Sequence, residues 1–69
     1  MKLVKEYKSV TLRKTLCHVT VRQNHHDFFE ALILIQDGPG KDEYFNCYDQ
    51  ASPALALTIA FDRAHKAGY

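Results

Sequence analysis

Tryptophan is absent from this 69-residue chain, methionine occurs once, and cysteine and proline occur twice each. Two cysteines, Cys17 and Cys47, are too few for the disulfide framework that staples many small secreted domains. His18, His25, His26 and His65 complete no CxxC or HxxxH spacing, so no structural zinc site is spelled out. With three glycines there is no GxGxxG or P-loop phosphate cradle, and no GxSxG or paired-carboxylate signature occurs. Long apolar runs are missing too. The longest, ALILI at 31–35, is far short of the roughly 20 residues that span a bilayer. MKLVKEYKSV has no apolar stretch of export-signal type, so a cytoplasmic location and no membrane contact are the expectation. Charge of one sign is also scarce, the net value being +1.

What is present is the material of one small folded domain, 1–69, with 46% hydrophobic and 25% charged residues. A chain of this length buries only about 60% of its unfolded surface, so its stability is thin and a second subunit is a usual remedy. Neither a disulfide nor a metal offers itself as the staple. Both cysteines fall in expected strands, and on non-adjacent strands they stand beyond disulfide reach and act as small hydrophobes.

Residues 9–22, SVTLRKTLCHVTVR, are rich in Val, Thr and Leu and read as one long strand. The polar QNHHD, 23–27, makes a hairpin connection to a second strand, FFEALILIQ. DGPGKD, 37–42, carries two glycines around a proline and is read as a turn. EYFNCYD, 43–49, then gives a third strand. Ser52 is placed to cap a helix, Pro53 to occupy its first position, and Gly68 to end it. Residues 1–8 are open to three readings: an extension of the first strand, a helical turn, or a frayed end. The expected fold is α+β: a three-stranded antiparallel meander with one C-terminal helix on one face, in the order β-β-β-α.

The middle strand raises the functional question, because it is apolar on both sides. Glu30 and Gln36 lie on the Phe28–Leu32–Leu34 parity, so Phe29, Ala31, Ile33 and Ile35 are expected under the helix. Phe45 and Cys47 join that side. Phe28, Leu32, Leu34, Tyr44 and Tyr48 are left together on a face that the single helix does not cover. Five such side chains make a patch of several hundred Å², as large as monomers tolerate, and of a composition that suits protein contact. These five are the expected protein-binding anchors, serving a homodimer, a docking site on another protein, or both.

Catalysis is not expected, nor is any cofactor. Adjacent strand residues point oppositely, so Cys17 and His18 do not form a nucleophile–base pair. His25, His26 and Asp27 are metal-ligand types, but histidines in a polar turn are ordinarily solvated. Charge is distributed unevenly along the chain. Lys2, Lys5, Lys8, Arg13 and Lys14 against Glu6 give +4 in residues 1–14, and the remainder carries −3. The preferred reading is a lysine-guarded strand edge. The alternative is a nucleic-acid-binding module acting through Lys5, Lys8, Arg13 and Lys14 with the tyrosines as a stacking platform.

YDQASPALALTIAFDRAHKAG, 48–68, resembles the ends of small phage and prophage accessory proteins, with Asp49, Ser52, Pro53 and Ala56 carrying the likeness. It covers about a third of the chain. The resemblance implies a phage-encoded protein that docks on a host protein and inhibits it, in the manner of anti-CRISPR proteins and host-enzyme inhibitors. It carries over no functional residue.

Overall fold

The stretch 9–22, expected as one strand, is divided in the middle. In the computed structural model, which describes residues 2–69, β1 (Lys2–Leu12) and β2 (Thr15–Gln23) are the arms of a hairpin. Arg13 and Lys14 form its two-residue loop, both with positive φ (45° and 67°), and Leu12 pairs with Thr15 across it. This is the backbone of a type I′ turn, whose twist matches that of the flanking strands. It ordinarily recruits Asn and Gly, and neither is present. Two further strands follow, β3 (Phe29–Ile35) and β4 (Tyr44–Gln50), and then α1 (Pro53–Lys66). The sheet is therefore a four-stranded antiparallel meander, β1-β2-β3-β4, in place of the expected three strands. The order along the chain is β-β-β-β-α. Residues 2–8, left open by the sequence, belong to the edge strand β1.

Period-two alternation decides which face is buried. Cys17, Val19 and Val21 of β2, Ala31, Ile33 and Ile35 of β3, and Cys47 of β4 point under the helix and are almost wholly buried. The helix answers with alanines. Ala56, Ala60 and Ala64, four residues apart, form a ridge with no exposed surface. Methyl side chains let the helix axis approach the sheet closely, and the larger Leu57, Ile59 and Phe61 flank the ridge against the same core. The helix lies over β3 and β4, reaches β2 marginally, and leaves β1 uncovered. Its start is as expected: the Ser52 side chain accepts the Leu55 N–H at 3.1 Å, ahead of Pro53.

The connections are fixed by side chains. Asn24 accepts the N–H groups of His26 and Phe28 through Oδ1, and its Nδ2 donates to Asp49 Oδ1. Past Gly68 (φ 101°), Tyr69 folds back onto Phe45 at 5.5 Å between ring centroids and donates its hydroxyl to Glu43. That bond holds the phenol above its ordinary pKa. Gly40 lies beneath the ring, where a Cβ would collide with the Tyr69 hydroxyl oxygen. Cys17 and Cys47 stand on β2 and β4 with β3 between them, both buried and free, as the strand argument requires. No helix among the described residues is long and apolar enough to cross a membrane.

Candidate protein-contact face

Four strands present a second face that no other element of the described residues covers. Directly opposed residues of antiparallel strands point the same way, so the register assembles this face residue by residue. Leu34 stands between His18 on β2 and Tyr44 on β4, and Leu32 between Thr20 and Asn46. Leu16 and Arg22 complete the β2 row. Glu30 lies opposite Arg22, and Leu3 and Glu6 of β1 lie opposite Arg22 and Thr20.

Of the five expected anchors, Tyr44 stands directly across from Leu34, and Leu32 follows two residues along β3 on the same side. Tyr44 is 58% exposed and the two leucines are half-buried. Tyr48, 54% exposed, continues the row along β4, where its hydroxyl accepts a hydrogen bond from Asn46 Nδ2 at 2.9 Å. Phe28 is placed differently. It precedes β3, in the turn organised by Asn24, at the opposite end of the sheet from Leu34 and Tyr44. It is 45% exposed there. The anchors therefore make a stripe along the β3–β4 half of the face, with Phe28 at its far end, and not one compact patch.

The β1–β2 half carries ions. His18 Nε2 lies 2.8 Å from Glu6 Oε1, and with Leu3, Thr20 and Arg22 the pair lines a shallow basin of about 400 Å³. The sequence did not reveal this pairing, since Glu6 and His18 face each other only once the Arg13–Lys14 turn folds β1 onto β2. A turn without Gly or Asn left no signal for it. Cys17, next to His18 in sequence, points into the core on the other side of the sheet. Burial and the charge of Asp37 raise its thiol pKa.

The four cations of the nucleic-acid reading are spread along β1 and its turn. Lys5 lies opposite Val21, on the helix side of the sheet, with its ammonium 5.5 Å from the Tyr7 ring centroid. Lys8 sits in an irregularity of β1, and Arg13 and Lys14 form the hairpin tip. Tyr44 and Tyr48 are on β4, at the opposite edge of the sheet. The rings of His25 and His26 are 4.0 Å apart in an exposed turn, and no group of three metal-ligand side chains converges among the described residues. Comparison with protein-family models, with curated proteins and with solved structures finds no match.

Proposed function

We propose that the chain is a small protein-binding module that assembles as a homodimer through its uncovered sheet face and inhibits a host protein by occlusion. The observation that carries this reading is the face itself: four strands wide, with a Leu32–Leu34–Tyr44–Tyr48 stripe that no element among the described residues covers. A second copy is the occupant favoured by three considerations. The domain is small and holds no disulfide, and oligomerisation is a usual route to stability at this size. The two longer Cα extents, 35 and 21 Å, bound a face of roughly 700 Å², near the ~800 Å² each partner contributes to a standard interface. The face also mixes charges of both signs, with Glu6 and Glu30 set around Arg22. A two-fold interface favours such a mixture, because each patch must complement its own copy.

The inhibitory role rests on the likeness of residues 48–68 to small phage-encoded proteins, and occlusion is the mechanism open to a domain acting by contact alone. Leu34→Ser with Tyr48→Ser tests the dimer. Wild-type mass in solution should rise from monomer to dimer between about 10 µM and 1 mM, the range in which weak interfaces of standard size form. The double variant should stay monomeric while keeping its helix and sheet spectrum. A variant that assembles like the wild type contradicts the reading.

A further inference from the structure

The two edges of the sheet are finished differently. On β4, the outward carbonyl of Asn46 accepts a hydrogen bond from Arg63, which reaches over from the helix. The Tyr48 carbonyl accepts one from the Gln50 side chain at 2.9 Å. This edge is closed by the chain's own side chains. Along residues 2–11 of β1, the other edge, no side chain of the described residues hydrogen-bonds to the backbone. The alternation of an antiparallel ladder tells which groups look outward there. Leu12 and Thr15 flank a two-residue turn and are hydrogen-bonded to each other, so Val10, Tyr7 and Lys5 likewise turn their backbone groups to β2. Leu3, Glu6 and Thr11 turn theirs away from the sheet.

Along this open edge the side chains are of two kinds. Lys2, Lys5 and Lys8 supply positive charge, and the one carboxylate, Glu6, is already engaged by His18. Leu3, Val4 and Tyr7 are exposed between them. Two irregularities, at Val4 and at Lys8–Ser9, interrupt the ladder. Bulges and lysines are devices that keep sheet edges from pairing with copies of themselves. Like charge repels a second β1, and the same lysines attract a strand of opposite charge.

We propose that the edge of β1 is a docking site for an extended acidic segment of another protein, which adds a fifth strand beside Leu3–Lys8. Its backbone would pair with the outward groups at Leu3 and Glu6. Its carboxylates would meet Lys2, Lys5 and Lys8, and its apolar residues would lie along Leu3, Val4 and Tyr7. Strand addition draws affinity from main-chain bonds and selectivity from alternate side chains, and both elements are present here. A phosphate backbone would use the lysines but neither the free ladder nor the apolar residues. Leu3 and Glu6 also border the uncovered face, but their outward backbone groups lie at its rim, and the Leu34→Ser/Tyr48→Ser variant changes only β3 and β4, so it leaves the β1 edge intact.

Fluorescence anisotropy with a labelled peptide of alternating Glu and Val tests the proposal. A Lys/Val peptide and a single-stranded oligonucleotide serve as comparisons. The acidic peptide should bind and the basic one should not. Lys5→Ala with Lys8→Ala should weaken binding roughly fivefold, as expected for two exposed ion pairs. Glu6→Pro, which removes an outward N–H, should weaken it further, and Glu6→Gln should not. Amide exchange in the unmodified chain provides a readout free of folding effects, since the peptide should slow exchange at Leu3 and Glu6. Absence of that slowing overturns the proposal, as does equal binding of the Lys/Val peptide. Tighter, lysine-dependent binding of the oligonucleotide overturns it in favour of nucleic acid.

Discussion

At the scale of single residues, the alanines of the helix set the geometry of the core. Ala56, Ala60 and Ala64 have no exposed surface, and the sheet beneath them offers Ile33, Ile35, Val19 and Val21. No space is left for a longer side chain at the centre of the ridge. Ala60→Leu should therefore lift the helix and destabilise the domain by about 1–3 kcal/mol, the usual cost of overpacking. A denaturant titration measures it, and a neutral result would contradict the close approach. The cysteines are equally constrained. Burial, and then the charge of Asp37, raise the Cys17 pKa, so little thiolate forms near neutral pH. Thiol reagents should label Cys17 and Cys47 only as fast as the domain opens. The linkage has a definite sign: the contribution is fully present below the ordinary thiol value and is lost as pH rises through the folded value. Stability should fall on the alkaline side, and Cys17→Ala should flatten that slope.

At the scale of elements, the parts that sequence made visible are those with local chemical marks. Ser52 and Pro53 announce the helix, Asp37 to Asp42 the turn, and the alternation in ALILI the strand whose odd residues enter the core. Leu32, Leu34 and Tyr44 followed from the same alternation, because a period of two assigns a face without further information. The first hairpin carried no such mark. Arg13 and Lys14 occupy positive φ, where Asn and Gly are the usual residues, so nothing separated β1 from β2. KLVKEYK was obscure for a related reason, since its two irregularities break the period by which a strand is recognised. Glu6 and His18, and the edge beside them, were hidden along with that turn. Phe28 falls one residue before the start of β3, in a turn held by Asn24, where the strand period no longer assigns a face. These points predict a stabilising change. Arg13→Asn with Lys14→Gly relieves two strained positions and should raise stability by about 1 kcal/mol. Thermal melting would register the gain, and a loss would contradict the turn assignment.

At the scale of the whole molecule, the chain commits one helix to one side of a sheet that has two. Its core is small, and neither the helix nor the edge strand β1 crosses to the other side. The leucine–tyrosine stripe is therefore left uncovered by the described residues, and the proposed protein contact would supplement a stability that 69 residues hold only narrowly. The central claim is that the bare face is covered in the assembled protein, and methyl relaxation by a soluble paramagnetic probe tests it most directly. At concentrations where the dimer forms, the methyl groups of Leu32 and Leu34 should be shielded from the probe, while Leu55 on the outer side of the helix stays accessible. Leu32 and Leu34 relaxing as freely in concentrated as in dilute solution would contradict it.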